Sequence, residues 1–328
     1  MFHPSSLTIL FVRLMFMSTF SLCACRDADE LNIGKLEQLL EMNNQQDGKP
    51  QAYFQNHPLP IGQGHLSVLA IGNSFAVDAV WYVRDVLEAA GLDASTYSVY
   101  FISHTAASLE HWWAVTQQNE QVDIIHQAGH KMLVERGTLA DLLAQDWDVI
   151  TLQQYSEDAV NYDSFNPWLR RMVDFILAHC AKKEVTLAWQ MAWSYNDMRV
   201  TTYSNYERWL LIAYATQQMM RNDGIDVLIP VGTAIQNARN TSLNGESQLT
   251  RDGWHLDLGI GRYIAACTWV QALFAPVYGF SVTAESSIPP LAKVEYERYP
   301  SQPVTQENLP LCQQCALDAV LQPFHVVK

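Results

Sequence analysis

The sequence predicts an α/β fold around a mainly parallel five-stranded sheet, and three features carry that expectation. Five short apolar runs, at 67–71, 96–102, 148–153, 185–189 and 225–229, alternate with stretches of helical periodicity. The run Ser67-Val68-Leu69-Ala70-Ile71 is apolar without alternation, as expected of a strand buried on both faces. Helical stretches between the runs are long enough to cross over and cover one face of the sheet, which parallel pairing requires.

Taken in order, the chain opens on a targeting segment over 1–24. Residues 14–22 are rich in Met, Phe and Leu, too short a run to cross a bilayer but long enough for the core of a secretory signal. Leu22-Cys23-Ala24-Cys25 resembles a bacterial lipobox. This implies lipidation at Cys25, export and a lipid anchor in the cell envelope, and Arg26-Asp27-Ala28-Asp29-Glu30 resembles the tether start of lipoproteins displayed on an outer-membrane surface. Cleavage nearby in an ordinary secreted protein is the alternative. Residues 25–64 read as a tether, with one short amphipathic stretch at 31–42 and then Gly48, Pro50, Pro58 and Pro60.

From His65 the character changes. The first strand ends at Gly72, and a helix over 76–90 stops at Gly91, a natural C-cap. After the second strand, 107–118 and 122–136 carry helical spacing, with a short helix over 138–145 before the third strand. A helix over 168–182 leads to the fourth strand. Another, over 206–222, closes at Gly224 before the fifth, and 231–238 and 259–273 supply the last major helices. The Pro-rich tail from Ile288 is expected to wrap the surface or add a terminal helix.

Composition supports a globular domain. With 49% hydrophobic residues in 328, a sizeable core is available without disulfide staples. The net charge of −14 leaves no basic face of the kind nucleic-acid binders need. Of six cysteines, Cys23 and Cys25 belong to the signal, and Cys180 and Cys267 fall in apolar helical patterns. Cys312-Gln313-Gln314-Cys315 follows Pro310 without further nearby metal ligands, so a structural role is expected, either as a small disulfide or as two reduced thiols. His126 and His130 have the i, i+4 spacing of a helical metal pair. They lack the glutamate and third ligand of a zinc hydrolase, and a solvated or capping role is expected. No glycine-rich phosphate loop follows any strand, so no nucleotide cofactor is expected.

In an open parallel sheet, ligands bind beyond the carboxyl ends of the strands. The first strand ends in Gly72-Asn73-Ser74-Phe75, a serine on a tight turn into a helix. Alone, that is an ordinary N-cap. Just before the last major helix stands Arg251-Asp252-Gly253-Trp254-His255-Leu256. An aspartate three residues ahead of a histidine can fold back onto imidazole Nδ1 and leave Nε2 free to take a serine proton. The two segments together point to nucleophilic catalysis.

Leu69-Ala70-Ile71-Gly72-Asn73-Ser74-Phe75 and Asp252-Gly253-Trp254-His255-Leu256 resemble the first and last blocks of the SGNH (GDSL-like) hydrolase superfamily. Segments 108–112, 151–156 and 232–237 resemble an exported bacterial group within it. The resemblance covers roughly 65–276 and implies a flavodoxin-like three-layer sandwich, serine ester hydrolysis and no metal, in a domain that runs over 65–328 with the Pro-rich C-terminal extension. It implies catalytic roles for Ser74, Asp252 and His255. Two departures bear on the oxyanion hole, formed in part by the Ser74 N–H. The second block's glycine is replaced in His104-Thr105-Ala106-Ala107-Ser108, leaving the Ala106 amide as donor provided no positive φ is required. The third block's asparagine is replaced by Gln153 or Gln154, with Ser156 also open.

Aromatic residues cluster near the same strand ends: Trp112, Trp113, Trp189, Trp193, Tyr195 and Trp254. Flat rings suit the C–H faces of sugars, although about half are expected in the core. Asn73, His104, Trp112, Trp193 and Trp254 are the candidate substrate contacts, and a small-molecule or glycan ester is the expected substrate. A non-catalytic glycan-binding lipoprotein on the same fold is the alternative.

Overall fold

The computed structural model describes residues 33–47, 57–62, 64–128, 131–197, 202–284 and 301–327. The signal, Cys25 and the start of the Pro-rich tail lie outside them. Seven strands, β1 (Leu66–Gly72), β2 (Tyr97–Ser103), β3 (Gln121–Ala128), β4 (Lys131–Thr138), β5 (Val149–Leu152), β6 (Thr186–Gln190) and β7 (Val227–Ile229), form one sheet. Their order is β4-β3-β2-β1-β5-β6-β7. The five expected strands are all present and mutually parallel. They run β2-β1-β5-β6-β7, the flavodoxin-like order with its switch point beside β1.

The helices are α1 (Ile33–Asp47), α2 (Ser74–Val80), α3 (Val83–Ala89), α4 (Leu109–Gln118), α5 (Leu139–Leu143), α6 (Trp168–His179), α7 (Asn205–Asn222), α8 (Val231–Arg239), α9 (Ile260–Trp269), α10 (Ala275–Tyr278) and α11 (Leu309–Leu321). They cover both faces, as β2 illustrates. Tyr97 meets Phe274 at the end of the α9 segment, whereas Tyr100 meets Trp147, whose indole donates to Leu142 of α5. An odd separation along one strand puts these two contacts on opposite faces. Close packing is visible at Gly232, where a Cβ would fall 2.1 Å from the Ala192 carbonyl oxygen.

Two expectations are corrected. Residues 122–136 form most of the antiparallel hairpin β3–β4, not a helix. Val122 and Ile124 are buried while Asp123 is exposed, so these β-branched residues follow a period of two, which suits a pleated edge. His126 therefore sits on a strand, where i, i+4 residues do not form a helical ligand face, and His130 lies outside the described residues. The helix expected over 76–90 is two helices, broken at Trp81–Tyr82. There the Trp81 ring lies under Arg262 and the Tyr82 hydroxyl donates to the Leu258 carbonyl, tying both bulky side chains to the neighbouring segment.

Within the stretch read as tether, α1 packs on α7. Leu36 and Leu40 are buried and Asn43 donates to Gln217 at 2.6 Å. Cys312 and Cys315 are buried free thiols on α11, as are Cys180 and Cys267 elsewhere. Burial pushes the Cys312 and Cys315 thiols up, which keeps them protonated and unreactive. Among the described residues, no helix is long and apolar enough to cross a membrane.

Candidate active site

The end of β1 is shaped by close packing. A Cβ on Gly72 would lie 2.8 Å from both Ala76 Cβ and Gln153 Cδ, so only glycine lets Gln153 pass beneath the turn. Asn73 follows as the N-cap of α2, its Oδ1 accepting the Phe75 N–H at 2.9 Å. The same oxygen accepts from Gln153 Nε2 at 2.5 Å, and Asn73 Nδ2 donates to the Ala107 carbonyl at 3.0 Å. Gln153 in turn accepts from Gln190 (2.7 Å), which accepts from the Trp269 indole (2.8 Å). This buried amide relay fixes the turn that presents Ser74, whose N–H, first in the helix, has no intrahelical acceptor.

Opposite Ser74 stands the 251–256 loop. Gly253 takes φ +91°, the left-handed conformation glycine adopts most cheaply. That bend lets Asp252 Oδ1 accept the N–H groups of Trp254 (3.0 Å) and His255 (2.8 Å), an Asx-type turn. The other carboxylate oxygen, Oδ2, lies 2.6 Å from His255 Nδ1, and His255 Nε2 lies 2.9 Å from Ser74 Oγ. The three residues expected to act together are thus in one hydrogen-bonded line, across 181 positions of sequence between serine and histidine. Partial burial works to raise the Asp252 pKa, but the side-chain and backbone hydrogen bonds from His255 and that from the Trp254 backbone outweigh it and hold the carboxyl well below the usual range. Asp252 is therefore an anion that can orient and stabilise an imidazolium.

The residues expected around this line divide. His104 is exposed on the β2–α4 connection, its ring stacked on His111. Trp254 is half-buried beside His255. Asn73, Trp112 and Trp193 are corrected as substrate contacts. The Asn73 amide is buried and committed to internal bonds. Trp112 and Trp193 have at most 1% exposure, leaving no ring face for a sugar. Trp193 instead stacks flat on Phe75 at 3.8 Å and donates its indole to the Trp254 carbonyl at 2.7 Å. Phe75 also meets the His255 ring edge-on at 6.0 Å. Trp189 and Tyr195 are buried as well.

Neither glutamine is placed as an oxyanion donor. Gln153 serves the relay. Gln154 accepts from the N–H groups of Leu109 and Tyr155 and donates to Ser164, so it caps the start of α4. Ser156 is buried and accepts from the Tyr195 hydroxyl. Ala106 departs from its expectation: its φ is +54°, the left-handed position a glycine would take at a cost lower by about 1–2 kcal/mol, so the condition of no positive φ is not met. Sequence reading missed Phe75, Gln190 and Trp269. Phe75 was signalled by its place beside the serine, but nothing local marks the other two.

The fold and this site define a class: an α/β sandwich with a mostly parallel sheet and a serine–histidine–aspartate line at its switch point. Within that class the chain belongs to the family described as a domain of unknown function, DUF4886, whose model matches residues 67–288. A DUF4886 family protein from Bacteroides uniformis is 30% identical with a TM-score of 0.67, covering 80% of this chain and 97% of that one. An acetylxylan esterase from Geobacillus stearothermophilus is 14% identical with a TM-score of 0.44, over 65% of this chain and 96% of that one. Another acetyl xylan esterase is 14% identical with a TM-score of 0.42, over 62% and 98%. Comparison with curated proteins finds no match.

Proposed function

We propose that the protein is a serine esterase of the SGNH type that removes acyl groups, such as acetyl, from carbohydrate esters. We further propose that it acts outside the cytoplasm, tethered through a lipid on Cys25. The observation that carries the catalytic reading is the continuous line from Ser74 Oγ through His255 to Asp252, with contacts of 2.9 and 2.6 Å. Both lie within the reach required between a nucleophile, its base and the base's orienting group.

In this mechanism Ser74 Oγ attacks the ester carbonyl carbon while its proton passes to His255 Nε2. Asp252 holds the imidazole by Nδ1 and balances the charge it gains. The Ser74 N–H is the backbone donor proposed for the developing oxyanion, and the Ala106 N–H is proposed as a second donor in spite of its positive φ of +54°. As the carbon–oxygen bond to the alcohol breaks, His255 returns the proton to the leaving oxygen and an acyl-serine remains. Water then repeats the sequence with His255 as base and releases the carboxylic acid. The half-buried Trp254 and exposed His104 offer the surfaces on which a sugar would rest.

The test is labelling by a fluorophosphonate probe together with hydrolysis of p-nitrophenyl acetate and a panel of acetylated sugars. Wild type should label and turn over, and Ser74→Ala should lose labelling and at least about 10⁴-fold in kcat. An unlabelled wild-type protein that still binds the sugars would favour the glycan-binding alternative.

A further inference from the structure

Four residues beyond Ser74, on the same side of α2, Asp78 lies 1% exposed beneath the 251–256 loop. Its carboxylate accepts from Arg251 Nη1 at 3.0 and 2.9 Å and from the Leu256 N–H at 3.0 Å. It also accepts from Arg262 Nε at 2.9 Å and Nη2 at 2.6 Å. Arg251 closes the loop on itself: its N–H donates to the His255 carbonyl and its guanidinium to the Leu256 carbonyl. Residues i and i+4 stand one above the other on a helix. Ser74 and Asp78 therefore reach the same loop at two points one turn apart, Ser74 at the His255 ring and Asp78 at the loop's ends.

We propose that Asp78 and Arg251 are positioning residues that set the register of His255 over Ser74. This deepens the esterase reading of the same site and rests on it for its catalytic consequence. A loop held only by the 2.9 Å contact between His255 and Ser74 would be free to swing about it, because one hydrogen bond fixes a distance and not an orientation. Further attachments remove that freedom: the Gly253 and Trp254 carbonyls accept from the Asn196 N–H and the Trp193 indole at the loop's tip, and Asp78 adds the hold on its two ends. Arg262, seated on α9 and stacked over Trp81, is the second guanidinium on the same carboxylate, so the buried anion keeps a cationic partner on the scaffold as well as on the loop.

The obvious variant, Asp78→Asn, leaves the buried Arg262 and the half-buried Arg251 without this carboxylate and is expected to unfold much of the protein. Arg251→Met is the informative one, since Asp78 keeps Arg262 and the Leu256 N–H. Two readouts are compared in this variant. Amide hydrogen exchange at His255 and Leu256 should accelerate about tenfold or more while amides of β5, such as Ile150, stay at wild-type rates. In turnover of p-nitrophenyl acetate, kcat per titrated active site should fall about 10²-fold with KM within about twofold. Guanidinium ion added to Arg251→Ala should restore part of the loss. Unchanged exchange in the loop overturns the proposal, whether or not the protein is an esterase. Exchange rising equally in β5 also overturns it, because Arg251 then serves global stability. A lower fraction of titratable sites with normal kcat per site does the same. Absence of turnover in wild type counts against the esterase reading alone, since exchange still decides the positioning role.

Discussion

The two halves of the catalytic line are held in different ways. The Ser74 turn is fixed from below by a chain of buried neutral hydrogen bonds, running from the Trp269 indole through the Gln190 and Gln153 amides to Asn73. The His255 loop is fixed from the side by charge, through Asp78 and two arginines, and shaped within by the Asp252 carboxylate. Neutral relays set position at short range and are indifferent to pH. Ionic attachments orient a mobile loop but depend on every partner being present. The serine half should thus fail through lost packing, and the histidine half through lost geometry.

The largest effect expected in this contrast is at Asp252. Asp252→Asn keeps the size of the side chain but removes the anion that fixes the imidazole tautomer. It should lower kcat by about 10⁴-fold with little change in far-UV dichroism, as steady-state ester hydrolysis would reveal. Gln153→Ala should show the opposite balance. It strands the Gln190 amide and opens a void under Gly72, costing about 2–4 kcal/mol in urea unfolding. The residual activity should fall far less than in Asp252→Asn. Similar stability losses in the two variants would erase the distinction.

A smaller, pH-dependent effect is expected just past the loop, at Asp257. Burial pushes this carboxyl up to about 6, against hydrogen bonds from the Gly259 and Gly261 amides that act to lower it. Because the folded state holds this proton more tightly than the unfolded chain does, between pH 4 and 6 folded protein binds more protons. Stability from this group therefore falls as pH rises through that window, by on the order of 2 kcal/mol. In thermal melts from pH 4 to 7, the Tm of Asp257→Asn relative to wild type should climb across the same interval. A flat difference would remove the burial argument. The smallest effect is at Ala106, where Ala106→Gly relieves the positive φ. It should raise stability by no more than about 1 kcal/mol, since glycine also loosens the unfolded chain. Calorimetry would resolve it.

Much of this molecule is legible in its sequence. Apolar runs such as 67–71 marked the parallel strands, because a strand covered on both faces has no polar alternation. Ser74 and the Asp252–His255 pair were legible because each lies in a short segment whose own turn chemistry presents it. The hairpin at 121–138 was misread because its short period-two segments also satisfy helical spacing, and pairing with β2 decides between them. Trp112 and Trp193 were misread because aromatic rings look alike in sequence whether they line a crevice or fill the layer beneath it.

By itself the sequence determined the apolar strand runs, the glycine at the end of β1 and the folding of Asp252 back onto His255, all of which are legible from neighbours within a few residues. Tertiary structure decided which glutamine supports the serine, which aromatic rings are buried, and that Asp78 meets Arg251. Those outcomes depend on contacts between segments far apart in the chain, where chain geometry rather than local preference selects the partner.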